Sequence, residues 1–163
     1  MPVPQTRMSL LGSQDSIYGP IGRYRVLHSP CRGDERRGRP VVLPDRAAQP
    51  TVGVPTHIQW NTELLSPRAP VAAFLLVSFG LRPPIDLTPA GYPGCVMWVD
   101  PSPSNLFTLT PTPGSILTLE GGRLHLHWTP GPEFRGQSVI VQPLFAVPPR
   151  WLWAPAVEVW VGG

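Results

Sequence analysis

The sequence predicts an all-β fold, an antiparallel β-sandwich or jelly roll of seven or eight strands with an extended N-terminal arm. The 163 residues include 24 prolines and 16 glycines, which excludes a helical bundle because proline removes a backbone donor and clashes with the preceding helical turn. A hydrophobic fraction of 42% and six tryptophans exclude disorder throughout the chain. Short hydrophobic runs separated by proline-rich turns are typical of β-sandwiches.

The candidate strands follow residue 51 and are separated by turn-rich segments. They cover residues 56–60, 71–79, 95–99, 106–110, 115–120, 123–128, 138–146 and 156–161. The run from 71 to 77 is apolar without alternation, which predicts a central strand covered on both faces. We therefore place one sandwich domain at residues 51–163.

The clearest local signal is the pair Gly121-Gly122 between two alternating runs. It predicts a two-residue hairpin, because the favoured hairpin turns need positive φ angles that glycine adopts freely. This register pairs Glu120 with Arg123. It also places His125 and His127 together on one face and puts four leucines on the core face: Leu117, Leu119, Leu124 and Leu126.

Residues 1–50 show no sustained hydrophobic period and are predicted to form an extended arm rich in proline and arginine. The short piece that begins at Tyr24 has the extended character needed to pair with a sheet edge. We expect residues 1–29 to lie outside the sandwich core and to extend over a neighbouring subunit.

Charge is scarce, at 14% of residues against about 25% in ordinary soluble proteins, and all thirteen basic residues are arginine. The arm carries most of the positive charge. Its arginines are diluted by Asp34 and Glu35 and lack interleaved aromatic residues, so we expect no nucleic-acid partner. No segment reaches the ~18 apolar residues of a membrane helix, so no membrane insertion is expected. The N-terminus does not lead into the apolar stretch of a secretory signal.

Residues 84–95, which read PIDLTPAGYPGC, resemble a "DL…G.PGC" signature of uncharacterised secreted β-sandwich modules of planctomycete-type bacteria. The likeness continues in order at residues 30–31, 50–53, 130–142 and 156–162, and so covers about residues 30–163. It implies a β-sandwich fold and an extracellular or surface location, and it carries no catalytic residue. The chain departs from these modules in lacking a visible signal peptide and in Trp151 and Trp153, which stand where small polar residues are usual.

Cys31 and Cys95 fit no metal-site spacing and no redox pair. In an exported protein they form one disulfide, which closes a loop of about 64 residues and stabilises by roughly 4 kcal/mol in the chain-entropy model. The alternative is a pair of free, buried thiols in a cytosolic protein. The resemblance favours the disulfide.

No catalytic or metal site is predicted. His125 and His127 share a strand face, as many zinc ligands do, but the only candidate for a third ligand is His57, whose position the sequence does not give. Nucleophile elbows, phosphate-binding glycine loops and paired carboxylates do not occur in the sequence. We therefore expect a protein that is not an enzyme and has no cofactor.

Tryptophans are the best candidates for a binding surface. Trp151 and Trp153 alternate before the last strand, and Trp160 points outward if the valines beside it point inward. Exposed tryptophans mark interaction surfaces, and burial in the core is the equally weighted alternative. Trp151, Trp153, Trp160 and Tyr24 are therefore the predicted interface residues.

The sequence favours a non-enzymatic structural protein that packs with itself or with other subunits into an extracellular or virion-like assembly. Such assemblies include a surface layer, a filament and the decoration of a shell. The alternative is a carbohydrate- or ligand-binding module of a secreted protein, in which the tryptophans stack on glycans.

Overall fold

A computed structural model describes residues 22–29, 31, 42–45 and 49–163, which form antiparallel β-sheets and only short 3-10 turns. The prediction of an all-β fold is confirmed. In the described part of the chain, no helix is long and apolar enough to cross a membrane. The strands are β1 Arg23–Leu27, β2 Val42–Pro44, β3 Thr56–Asn61, β4 Ala72–Phe79, β5 Ile85–Asp86, β6 Val96–Met97, β7 Phe107–Leu109, β8 Leu117–Glu120, β9 Arg123–Trp128, β10 Ser138–Val147, β11 Arg150–Trp153 and β12 Ala156–Trp160.

These strands form two main sheets. The larger sheet has six strands in the order β1-β12-β10-β4-β7, and β11 pairs with β10 next to β12. The smaller sheet has four strands in the order β2-β3-β9-β8, and β5 and β6 form a separate pair. Each strand predicted after residue 51 has a counterpart. The described strands number twelve rather than seven or eight because β1, β2, β5 and β11 add to the predicted set.

Part of the predicted arm belongs to the sheets. β1 pairs with β12 of the same chain, with Arg23 opposite Trp160, and β2 pairs with β3, with Val42 opposite Trp60. The boundary at residue 50, and the placement of residues 1–29 outside the core, are therefore corrected for residues 22–29 and 42–45. Residues 1–21, 30, 32–41 and 46–48 of the arm lie outside the described residues.

The two main sheets share one apolar core. Trp60 and Leu124 of the smaller sheet and Leu75 and Phe145 of the larger sheet are fully buried in the same cluster. The indole of Trp60 also donates a 2.9 Å hydrogen bond to the carbonyl of Pro155. Because side chains alternate along a strand, this cluster fixes which face of each sheet points inward.

The β8–β9 hairpin has the predicted register, with Glu120 opposite Arg123 and Leu119 opposite Leu124. Gly121 and Gly122 have φ angles of 58° and 73°, the left-handed values that the two-residue turn requires. Leu124 is fully buried and His125 is only half-buried, so the leucines face the core as expected.

The segment between β4 and β7 packs against the opposite face of the larger sheet. Val99 is buried there against Ile140 of β10 and Leu76 of β4. Both faces of β4 are therefore covered, as its unbroken apolar run predicted. The Cys31–Cys95 disulfide, with an S–S distance of 2.05 Å, joins Cys31, four residues after the end of β1, to this segment, which confirms the predicted bridge.

Candidate functional site

An apolar cleft opens between the two sheets at the β7 edge of the larger sheet. Its volume is about 350 Å³, and no charged side chain lines it. It is lined by aliphatic and aromatic side chains of β4, β7, β9, β10 and their connections: Leu75, Val77, Phe79, Phe107, Leu109, Ile116, Leu126, Trp128, Phe134, Val139 and Val141. Several of these side chains also belong to the shared core, so the cleft is an opening into that core.

Phe107 shows that the core is incomplete at this edge. Its backbone lies opposite Val77, and directly paired residues point to the same face of a sheet, so Phe107 faces inward. Its side chain is nevertheless 53% exposed, and Ile116 across the cleft is 46% exposed. Phe79 contacts the Phe107 ring edge-on, with ring centroids 5.9 Å apart. Aromatic rings therefore form the floor of the cleft, but no described residue packs over its outer side.

β7 also has a free edge. It pairs with β4 on one side, and no other strand of the described ranges pairs with its outer side. Such an edge presents unpaired backbone N–H and C=O groups to any extended chain. Sequence reasoning predicted the strand but missed its edge position.

A second cavity, of about 330 Å³, lies beside the disulfide and brings together four of the predicted site residues. We call it the tryptophan groove. Cys31, Cys95, Trp151 and Trp153 line it together with Leu65, Ala90, Gly91, Tyr92, Pro93, Pro149, Arg150 and Leu152. Part of the signature segment 84–95 thus forms one wall and the β10–β11 turn forms another.

The two tryptophans of this groove differ in exposure. Trp151 is 40% exposed and rests on Phe74, with ring centroids 5.7 Å apart, so it is available as an interface residue. Trp153 is only 7% exposed and packs edge-on against Tyr92, so its prediction as an interface residue is corrected. The Trp153 indole N–H is buried and has no hydrogen-bond acceptor among the described residues.

The other two predicted interface residues lie elsewhere. Tyr24 is 8% exposed and belongs to the shared core, so it cannot contact a neighbouring subunit, and this prediction is corrected. Trp160 points outward as predicted, and the Arg23 guanidinium lies 5.3 Å from the centre of its ring. Trp160 pairs with the first residue of β10, whereas Trp151 pairs near its last residue. The tryptophans therefore do not form one patch.

Three of the four histidines meet on the outer face of the smaller sheet. β3 pairs with β9 so that His57 lies opposite His127 and Gln59 lies opposite His125. His57 Nε2 is 3.0 Å from His125 Nδ1, and the His57 and His127 rings stack with centroids 4.2 Å apart. Partial burial, followed by the neighbouring histidines, lowers the pKa of His57, and partial burial likewise lowers the pKa of His125. The sequence predicted the pair on β9 but could not supply the partner strand.

A scan against protein-family models, a search of curated proteins and a search of solved structures found no match to this chain. The resemblance of residues 84–95 to secreted modules therefore stays a prediction.

Proposed function

We propose that this chain is a non-enzymatic structural protein of an extracellular or surface assembly. In this proposal the two sheets form a β-sandwich that is open at β7, and an extended segment of a second copy adds a strand there and fills the apolar cleft. Repetition of this contact builds a layer, a filament or a shell decoration. The segment that occupies the cleft contributes apolar side chains at alternate positions.

The observation that carries the proposal is the exposure of an inward-facing side chain beside a free strand edge. Phe107 points toward the core and is 53% exposed, and Ile116 is exposed across the cleft. Exposed apolar surface that continues into a core is costly in water and marks an interaction site. An added strand would cover Phe107 and would pair with the outer edge of β7 at the same time.

The chemistry of the cleft favours a peptide over a lipid. A fatty acid or other amphiphile needs a polar or charged partner for its head group, and the lining residues include no charged side chain. A peptide instead needs partners for its backbone, which the free edge of β7 supplies. The composition agrees with coverage of this surface, because a chain with 14% charged residues has few groups to keep a free monomer soluble.

The disulfide supports an extracellular location for the assembly. Cys31 and Cys95 are bridged, and no cysteine is free. Disulfides persist in oxidising compartments and are rare in the cytosol. The bridge also fastens the chain just after β1 to the layer that covers the larger sheet.

The experiment compares self-association of the full chain with that of two exposed-residue variants. Light scattering coupled to size-exclusion chromatography is run from micromolar to millimolar protein, with hydrogen exchange of the β7 amides measured in parallel. The wild type should form oligomers in which the outward-facing β7 amides, those not bonded to β4, are protected, and Phe107→Asp should be monomeric. Leu81→Asp is the matched control, because Leu81 is also exposed (41%) but does not line the cleft.

A wild type that stays monomeric at millimolar concentration, with freely exchanging outward-facing β7 amides, would contradict the proposal. So would a Leu81→Asp variant that loses association as fully as Phe107→Asp does. Hydrogen exchange on the wild type needs no variant, so it decides the matter even where a substitution disturbs folding.

The tryptophan groove favours a second candidate function, binding of a glycan or another small polar ligand. The exposed indole of Trp151 and the neighbouring Arg150 are suited to stacking and hydrogen bonding with a sugar ring. Binding to a glycan array should be lost in Trp151→Ala and kept in Trp160→Ala, since Trp160 lies outside the groove. Binding that survives Trp151→Ala would contradict this candidate.

A further inference from the structure

The outer face of the smaller sheet holds three imidazoles at the spacing of a metal site. His57 on β3 and His125 and His127 on β9 each offer one ring nitrogen, and these three atoms lie within 4.8 Å of one another. The closest two, His57 Nε2 and His125 Nδ1, are 3.0 Å apart. Nitrogen atoms bound to one zinc ion at 2.0–2.1 Å stand about 3.3 Å apart in a tetrahedron. The rings are stacked nearly parallel, at interplanar angles of 9° to 16°, so they must rotate about their Cβ–Cγ bonds to direct the three lone pairs at one ion.

The backbone holds the three histidines in place without help from a ligand. β3 and β9 pair over six residues, with His57 directly opposite His127. On the inner face of the same strands Ile58 and Leu126 are buried in the shared core. Because the inner side chains fix the register, the outward histidines cannot move apart along the sheet.

The chemistry of these donors selects the class of ion. Three neutral imidazole nitrogens suit zinc, copper and nickel, whereas calcium and magnesium prefer oxygen donors. His127 is exposed, so the remaining coordination position opens to solvent. An ion would replace the hydrogen bond between His57 and His125, and the proton involved would move to the other nitrogen of its ring.

The charged residues around the cluster are of both signs. Asp45 lies near His57, and Glu120 and Arg123 lie near His125. The two carboxylates partly balance the charge of a divalent ion. The site lies on the opposite face of the smaller sheet from the apolar cleft, so occupation of one does not block the other.

We propose that His57, His125 and His127 form a binding site for a divalent transition-metal ion, with three imidazole ligands and a fourth position taken by solvent or by a ligand from outside the chain. A site of this kind on the sheet surface would bind zinc or copper from the medium. It would also let the ion link the domain to a donor group on a partner.

The test is an isothermal calorimetric titration of the full, metal-free chain with Zn²⁺ alone. The chain offers a matched control, because His28 is exposed and is the one histidine outside the cluster. Both cysteines are in the disulfide, so no thiolate competes for the ion. Wild type and His28→Gln should bind one Zn²⁺ with micromolar or better affinity. His125→Gln and His127→Gln should each lose affinity by about a hundredfold or more. Loss of a residue that only hydrogen-bonds to a metal ligand already costs up to about a hundredfold, and these variants remove the ligand itself.

Ring ¹⁵N spectra of the wild type give a readout that needs no variant. Addition of Zn²⁺ should shift the nitrogen signals of three histidines and leave those of His28 in place. The proposal is overturned if Zn²⁺ gives no saturable heat, if His28 shifts with the others, or if the cluster variants bind as tightly as the wild type.

Discussion

The side chain of Gln142 accepts a 2.8 Å hydrogen bond from the backbone N–H of Trp98. Gln142 lies on β10 in the middle of the larger sheet and is completely buried, and Trp98 lies in the segment that covers this sheet. The Gln142 amide nitrogen also donates to the carbonyls of Val96 and Ala154, at 2.9 Å and 3.1 Å. One side chain therefore satisfies three backbone groups and joins the covering segment to the sheet.

We expect Gln142→Ala to lower the free energy of unfolding by at least about 3 kcal/mol, because it leaves several polar groups without partners and opens a cavity. Urea unfolding followed by tryptophan fluorescence measures the loss. Gln137→Ala is the control, since Gln137 is exposed, and it should change stability by less than about 0.5 kcal/mol. Equal stabilities of the two variants would show that the Gln142 contacts contribute nothing.

The disulfide should contribute to stability through the chain it closes. Cys31 and Cys95 are 64 residues apart in sequence, and a loop of this length corresponds to about 4 kcal/mol in the chain-entropy model. We expect the double variant Cys31→Ser, Cys95→Ser to unfold at a clearly lower urea concentration than the oxidised wild type. The same shift should follow from reducing the wild type and should be absent when the double variant is treated with reductant. An alkylating reagent that modifies both cysteines of the native, oxidised protein would contradict the bridge itself.

Local signals explain why the hairpin was predictable and the ends of the sheets were not. Gly121-Gly122 sets the β8–β9 register within a few residues, and this register is confirmed. β1 instead pairs with β12, a strand more than a hundred residues later, and the five residues of β1 do not indicate which strand it pairs with. Arginines 23 and 25 made it resemble a solvated arm. In the sheet, the Arg25 guanidinium lies 2.8 Å from the buried carboxylate of Glu158.

The candidate sites, too, were predictable where local signals decide and not where distant parts of the chain meet. The hairpin placed His125 and His127 on one face, but His57 joins them through a contact across 68 residues. The alternation of Trp151 and Trp153 suggested a shared exposed face. The structure buries Trp153, because that residue packs under the covering segment beside Tyr92. Exposure at a site depends on which neighbours arrive from distant parts of the chain, and a single sequence does not encode this in its local pattern.

Asp100 should make the loop before β7 sensitive to acid. The Asn105 amide, the Ser102 backbone and hydroxyl, and the Arg82 guanidinium lower the pKa of this carboxyl below its ordinary 3.8. The anion is the form that accepts these bonds, including 3.0 Å from Asn105 and 2.6 Å from Arg82. Its contribution is therefore complete above pH 3.8 and is lost as the pH falls below 3.8 toward the lowered pKa of the folded state.

We expect Asp100→Asn to be less stable than the wild type near pH 6 and to approach it as the pH falls below about 3.8. Urea unfolding at several pH values gives the difference. Asp86→Asn is the comparison variant. Hydrogen bonds from Thr88 also lower the pKa of Asp86, but, unlike Asp100, Asp86 has no ion pair among the described residues. A difference between Asp100→Asn and the wild type that stays constant across this range would show that Asp100 is not the titrating group.

Tyr24 gives the corresponding prediction at alkaline pH and tests whether β1 belongs to the core. Burial, followed by the negative charge of Asp45, raises the pKa of Tyr24 from 10.0 to about 12. The folded state thus favours the protonated phenol, so the contribution is complete below pH 10 and is lost as the pH rises from 10 to 12.

Tyr24→Phe keeps the ring and removes the titration. It should cost about 1 kcal/mol near neutral pH, where the hydroxyl is hydrogen-bonded, and should then gain on the wild type through this window. Urea unfolding from pH 9 to 12 measures both curves, with Tyr92→Phe as the control for a tyrosine outside the shared core. Parallel curves for wild type and Tyr24→Phe would mean that the Tyr24 phenol titrates in water, and that β1 does not hold it in the core.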